Sequence, residues 1–185
     1  MTQGMTREAL EAGRAHALGS PVGRGVVEMV VVRPEPGTRT VLEEAALDPA
    51  VGMVGDCWLA RGSRHSDDGS ASPLMQLTLM NARVADLVAG ARDRWPLAGD
   101  QLYVDLDLGA ASLPPGTRLR VGTAVVEVTE QPHTGCAKFA ERFGIEAARF
   151  VNTPEGQAHR FRGMNARVVE AGVVRPGDVV ETISL

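Results

Sequence analysis

The sequence has few aromatic residues and no excess of positive charge. Only 4% of its 185 residues are Phe, Trp or Tyr, and its formal net charge at pH 7 is −4. Proteins that bind nucleic acids typically combine a basic surface with aromatic side chains that stack on the bases. We therefore expect no nucleic-acid partner.

Long apolar stretches are also absent. The longest one, at 26–32, is short and is interrupted by Glu28, and the first residues lack the apolar core of a signal peptide. These features predict no membrane partner and a soluble protein of the cytoplasm.

Cysteine and histidine are sparse as well. Cys57 and Cys136 lie far apart in the sequence, and in a reducing cytosol we expect free thiols, with a disulfide as the open alternative. There is no Cys-x-x-Cys pair, and the histidines lack the spacing of metal ligands, so we expect no structural zinc site. The four histidines are His16, His65, His133 and His159, of which His65 is expected to be solvated.

Short apolar or alternating segments, separated by Pro and Gly turns, predict many short strands. These segments are 25–33, 74–79, 102–108, 117–121, 124–129, 166–170 and 179–183, and 41–46 fits either a strand or a helix. The run at 25–33 is apolar almost throughout, which predicts burial on both faces. The predicted fold is mainly β, a barrel with a few short peripheral helices.

The chain length fits one such domain, which we place at 21–185 after an N-terminal arm at 1–20. Within the arm, 6–18 predicts a short helix with a thin apolar face. Asn81 and Gly90 predict the start and the end of a helix at 82–89. A further short helix is predicted at 145–151, with a break at Pro154.

The stretch 131–144 carries the main candidate for chemistry. Phe139, Ala140 and Phe143 recur at helical spacing, which predicts a helix with Thr134 as its cap and Gly144 as its end. Cys136 would then lie near a helix N-terminus, where a thiol ionises more easily, and His133 and Lys138 would add positive charge. Such a thiolate can act as a nucleophile or as a ligand for a soft metal, and a buried inert cysteine is the alternative.

Three arginines surround Gly163 where the strand at 166–170 begins. They are Arg160, Arg162 and Arg167. A glycine permits close backbone approach, and guanidinium groups bind phosphate or carboxylate through paired hydrogen bonds. The segment is therefore a candidate anion site, with a solvated basic loop as the alternative.

Three motifs occur in order: Pro-His-Thr-Gly-Cys-x-Lys-Phe at 132–139, Arg-Gly-x-Asn-Ala-Arg-Val-Val at 162–169, and Gly-x-Val-x-Pro-Gly-Asp at 172–178. Together they resemble the MOSC family, named for the C-terminus of molybdenum cofactor sulfurase. The chain differs in two respects. Ala-Gly-Asp-Gln stands at 98–101 where many members have Arg-x-Asn, and Cys57 and Trp58 follow Gly55-Asp56 where many members have basic residues.

The resemblance implies a MOSC-type β-barrel whose cysteine, matching Cys136, either ligates the molybdenum of the cofactor molybdopterin or carries sulfur destined for that cofactor. Because the cofactor ends in a phosphate, basic and hydrogen-bonding residues of the motifs are expected to bind it. They are His133, Thr134, Lys138, Arg162, Asn165 and Arg167.

Two functions follow from the resemblance. The first is a molybdenum-dependent oxidoreductase that reduces N-hydroxylated compounds, with Cys136 as its catalytic residue. It would need an electron-transfer partner, because the chain has no flavin, haem or iron–sulfur motif. The second is a sulfur-carrier module without turnover, supplied by a desulfurase because the chain has no pyridoxal-phosphate domain.

A thiol hydrolase that uses Cys136 and His133 is a third possibility. We rank it below the other two functions. The sequence offers no evident Asn or Asp to orient the histidine.

Overall fold

The structure, a computed structural model, describes residues 4–63 and 66–183, so His65 lies outside the described residues. The strands β1 to β11 are Arg24–Val32, Thr40–Leu42, Ala45–Asp48, Gly52–Met53, Leu77–Asn81, Leu102–Asp105, Arg118–Val121, Ala124–Val128, Met164–Glu170, Gly172–Val174 and Val179–Ile183. The helices α1 to α6 are Arg7–Leu18, Trp58–Arg61, Ala82–Ala89, Ala137–Phe143, Ile145–Asn152 and Pro154–Ala158. Two 3₁₀ helices lie at Pro73–Met75 and Arg92–Ala98.

Seven of these strands form a closed barrel, as the sequence predicts. Their order is β11-β7-β8-β9-β5-β6-β1, and β1 closes the barrel by pairing with β11 through Gly25 and Val180. The β5–β6 pairing is parallel, and the other barrel pairings are antiparallel. Strand β2 extends the sheet beyond β1, and β10, β3 and β4 form a small second sheet.

Strand β1 explains why the run at 25–33 is almost continuously apolar. Val27, Val30 and Val32 point into the barrel and join its interior cluster. Met29 and Val31 point outward and pack in a second cluster with residues of α1, α3, α4 and α5. The predicted burial on both faces is confirmed.

Several predicted boundaries differ from the structure. The strand predicted at 102–108 ends at Asp105, since the Asp107 carboxylate accepts hydrogen bonds from Gly109 N and Ser112 Oγ and so begins a turn. The strand predicted at 74–79 begins at Leu77, and 41–46 belongs to two strands, β2 and β3.

Pro154 begins a helix where the sequence predicts only a break. It occupies the first turn of α6, and the Thr153 hydroxyl caps that helix by accepting a hydrogen bond from Gly156 N. A proline is tolerated there because the first helical N–H has no partner within the helix.

The helix predicted at 6–18 is α1, and Thr6 is its N-cap. Leu10 and Ala17 are buried in the outer cluster, and Arg14 forms an ion pair with Glu155. The domain boundary at residue 20 stays a prediction. No helix in the described ranges is long and apolar enough to cross a membrane.

Candidate functional site

Two asparagine side chains fix the segment that leads from β8 to Cys136. Asn165 Nδ2 donates to the carbonyl oxygens of Gln131 and Pro132, at 3.0 and 3.4 Å. Asn152 pairs with the Gly135 peptide, accepting from its N–H and donating to its carbonyl, each at 2.9 Å. These contacts hold the backbone just before the cysteine in one conformation.

Cys136 is exposed and is itself the N-cap residue of α4. Its carbonyl accepts hydrogen bonds from Phe139 N and Ala140 N at 3.0 and 3.1 Å, which starts the helix at residue 137. The prediction that Thr134 caps this helix is therefore wrong, whereas Gly144 ends it as predicted. The alternative of a buried Cys136 is also wrong, because the residue is exposed.

Cys136 opens onto a cavity of about 330 Å³ whose lining is strongly cationic. The basic residues that line the cavity are Arg33, Arg39, Arg61, Lys138 and Arg142. Arg33 is neutralised by Asp56, with two guanidinium–carboxylate hydrogen bonds of 2.9 Å. The other four form no ion pair with any described residue, and the cavity lining contains one carboxylate, that of Glu35.

Both cysteines of the chain line this cavity. Cys57 is buried, Cys136 is exposed, and both are free thiols. The Cys57 N–H donates to the backbone carbonyl of Arg33 at 2.7 Å, so Cys57 is tied to the end of β1 next to the Arg33–Asp56 pair.

Arg39 has an unsatisfied donor at this cavity. Its Nη1 donates to Gly37 O at 2.8 Å, but its buried Nε has no hydrogen-bond partner in the part of the chain that the structure describes. Burial lowers the pKa of Arg39, and the neighbouring charges of Arg142 and Arg33 lower it further. A buried donor among like charges is stabilised by an anion.

A buried polar cluster lies behind this cavity, around Asp100. Arg162 Nη1 lies 2.6 Å from Asp100 Oδ2, and Arg162 Nη2 donates to Ala98 O at 2.8 Å. The Arg162 guanidinium also lies 5.0 Å above the centre of the Phe139 ring. Arg162 thus connects the segment at 98–100 to α4.

His133 faces the same carboxylate, with its Nδ1 3.5 Å from Asp100 Oδ1. Its side chain is 17% exposed, and its pKa is lowered to about 3, first by burial and then by the charge of Arg162. His133 is therefore neutral near pH 7, and the expectation that it adds positive charge is wrong. Asp100 is the carboxylate that faces His133, but neither His133 Nδ1 nor Asp100 Oδ1 has a hydrogen-bond partner among the described residues.

The structure separates some of the predicted site residues. Lys138 shares the cationic cavity with Cys136, whereas His133 and Thr134 line a neighbouring cavity of about 250 Å³. Arg167 forms an ion pair with Glu127, with Nη2 2.6 Å from Oε1, and lowers the pKa of that carboxyl. Arg162 and Asn165 lie in or beside the buried cluster, and neither lines the cationic cavity.

Sequence reasoning missed four residues at this site: Arg39, Arg61, Arg142 and Asp100. They come from segments far apart in the chain, and only the fold brings them together. Asp100 lies in the segment where the chain differs from the family motif, and that difference was the one available signal.

The described site consists of a closed barrel with an exposed cysteine beside a cationic cavity, and the comparison with family models assigns the barrel to a class. A model of the MOSC domain matches residues 77–181, which is more than half of the chain. The chain therefore belongs to the MOSC domain family.

Solved structures show the same fold. The YuaD protein from Bacillus subtilis is 16% identical, with a TM-score of 0.62 over 88% of this chain and 97% of that one. YiiM from Escherichia coli is 19% identical, with a TM-score of 0.55 over 86% and 70% of the two chains. YiiM from Geobacillus stearothermophilus is 16% identical, with a TM-score of 0.53 over 89% and 75%. No curated protein matches the sequence.

The residues present fit the cofactor with which the family is associated. Cys136 offers an exposed sulfur ligand. The cavity offers cations, and the Arg39 Nε donor, that no described residue pairs with. A soft thiolate suits molybdenum, and guanidinium and ammonium groups suit a phosphate.

Proposed function

We propose that this protein binds the molybdenum cofactor in the cationic cavity, with Cys136 as the protein ligand of molybdenum. The observation that carries the proposal is an exposed thiol on a cavity lined by four cations that have no carboxylate partner among the described residues. A ligand with both a soft metal and an anionic group would match this lining.

Each residue has a definite task in this proposal. Cys136 supplies the thiolate, while Arg39, Arg61, Lys138 and Arg142 attract the anionic part of the cofactor. When bound, the cofactor supplies two-electron redox chemistry at its metal.

Two buried residues act by positioning. Asn165 holds the backbone before Cys136 through Gln131 O and Pro132 O. Arg162 fixes Asp100 and the Ala98 carbonyl behind the cavity.

The reaction that we propose is reduction of an N-hydroxylated compound. Such a compound accepts two electrons and two protons, loses its hydroxyl oxygen as water and leaves as the amine. The electrons would come from a separate electron-transfer protein.

Molybdenum content tests the cofactor proposal. Wild type, Cys136→Ser and the matched control Cys57→Ser are produced in a host that makes the cofactor, and metal is measured by mass spectrometry. We expect near-stoichiometric molybdenum in the wild type and in Cys57→Ser, and a loss of at least about tenfold in Cys136→Ser. A wild type without molybdenum would rule the proposal out.

A sulfur carrier is the second candidate. It is favoured by the exposure of Cys136, because a sulfur-donating protein must reach the thiol. Nearby cations would stabilise a persulfide anion as they would a thiolate. Incubation with a cysteine desulfurase and cysteine should then add one sulfur atom to wild type and none to Cys136→Ser, as measured by intact mass. A wild type that gains no sulfur while Cys136 stays alkylatable would rule this candidate out.

A further inference from the structure

Two guanidinium groups point at one small volume above Gly99. A Cβ atom placed on Gly99 would lie 3.4 Å from Arg39 Nη2 and 3.9 Å from Arg142 Nη1. Gly99 has φ +92°, a conformation that favours glycine, so this volume stays free of a side chain. The three residues all line the cavity at Cys136.

The groups around this volume hold the two arginines in place without neutralising them. Arg142 Nη1 donates to Leu97 O and Arg39 Nη1 donates to Gly37 O, each at 2.8 Å. Each guanidinium has five N–H donors, so others remain for a ligand. One of them is the buried Arg39 Nε, which has no partner among the described residues. Neither arginine forms an ion pair with a described residue.

The backbone at Ala98 and Gly99, which lies under this volume, is held by hydrogen bonds to two other arginines. Arg33 Nη1 donates to Gly99 O at 3.0 Å, and Arg162 Nη2 donates to Ala98 O at 2.8 Å. Both of these arginines are themselves held by buried carboxylates, Asp56 and Asp100. The Gly99 peptide is therefore fixed, and the positive charges of Arg39 and Arg142 lie close together above it.

We propose that Arg39 and Arg142, above the peptide of Gly99, form a binding site for a tetrahedral oxyanion of the phosphate class. Such an anion relieves the repulsion between the two guanidinium groups and accepts charge-assisted hydrogen bonds from both. The site lies in the cavity of the proposed function, but its anion affinity does not require the cofactor. The oxyanion is either the terminal phosphate of the cofactor or a separate anionic substrate.

Phosphate binding to the cofactor-free protein is the test. Protein from a host without cofactor synthesis is titrated with sodium phosphate by calorimetry at low ionic strength. Wild type should bind, and Arg39→Met and Arg142→Met should each bind about tenfold or more weakly. The control Arg24→Met removes the same charge at an exposed position and should stay within about twofold.

Absence of phosphate binding by the wild type, or unchanged affinity in both cavity variants, would overturn the oxyanion site. Thermal unfolding of each variant confirms that it is folded. Because two independent arginines are replaced, the test survives the failure of one variant to fold.

The source of the oxyanion is decided by metal content in a cofactor-competent host. If the site holds the cofactor's phosphate, Arg39→Met loses molybdenum. If it holds a separate substrate, Arg39→Met keeps its molybdenum and loses only phosphate affinity. Phosphate binding by a wild type that never contains molybdenum would support the oxyanion site and overturn the cofactor proposal.

Discussion

At the scale of single residues, the site depends on how each charge is compensated. Arg33 and Arg162 are buried and bonded to buried carboxylates, so they support the peptide behind the cavity. Within residues 4–63 and 66–183, the side chains of Arg39 and Arg142 bond only to backbone carbonyls, so their charge remains available to a ligand. Arginine therefore has a structural role at positions 33 and 162 and is available for binding at positions 39 and 142.

His133 should make stability depend on pH. The folded state holds it neutral with a pKa of about 3, because of burial and the charge of Arg162, with Arg33 adding to and Asp100 opposing that effect. The unfolded chain takes up the proton near pH 6.5, so stability is complete above that pH and falls as pH drops towards 3.

We expect this histidine to contribute a slope of at most about 1.4 kcal/mol per pH unit in that range. Urea unfolding at several pH values checks this. His133→Gln should flatten the slope, whereas His16→Gln, at an exposed position on α1, should not. Identical slopes in wild type and His133→Gln would contradict the buried neutral state.

Arg162 and Arg167 allow a comparison of a buried ion pair with an exposed one, because each arginine pairs with a different carboxylate. Arg162→Met leaves the fully buried Asp100 carboxylate without its cation and should lower the free energy of unfolding by about 3–5 kcal/mol. Arg167→Met removes a partner from a surface pair in which the arginine side chain is 47% exposed, and should cost no more than about 1 kcal/mol.

Chemical denaturation measures both losses. Adding Asp100→Asn to Arg162→Met should recover part of the larger loss, because the uncompensated charge is removed. Equal losses of unfolding free energy in Arg162→Met and Arg167→Met would contradict the larger contribution of the buried Arg162–Asp100 pair.

At the scale of elements, the start of α3 was predictable because a side chain caps that helix. Asn81 lies just before α3 and its Oδ1 accepts from Val84 N at 3.0 Å, as the sequence suggests. Thr134 is not a cap because α4 begins only at Ala137, with Cys136 as its N-cap, and Asn152 rather than Thr134 bonds the Gly135 peptide before it. No local pattern reveals a partner that lies 17 residues away.

Asn81 is more than a helix cap, because its side chain also bonds two groups in the interior. Its Nδ2 donates to Ser20 Oγ and Leu106 O, each at 2.8 Å, in the interior. Asn81→Ala should therefore cost at least about 2 kcal/mol of unfolding free energy, whereas Thr6→Ala, an exposed cap of α1, should cost about 1 kcal/mol or less. Thermal unfolding compares the two variants. Similar losses of unfolding free energy would contradict a stabilising role for the interior hydrogen bonds of Asn81.

At the scale of the whole molecule, the sequence predicted the barrel well and the site only in part. Strand alternation and Pro-Gly turns depend on local patterns, so most strands were found. The cationic cavity joins residues from 33 to 142, which no spacing rule connects. Cys136 was found because its motif is contiguous, whereas Arg39 and Arg142 required the fold.

The most direct test of the central proposal is the ligand set of bound molybdenum. X-ray absorption at the molybdenum edge would compare wild type with Cys136→Ala, both from a cofactor-producing host. A thiolate ligand from Cys136 predicts one sulfur neighbour fewer per molybdenum atom in the variant, or loss of the metal altogether. The same number of sulfur neighbours in both proteins, with molybdenum retained in the variant, would contradict ligation by Cys136.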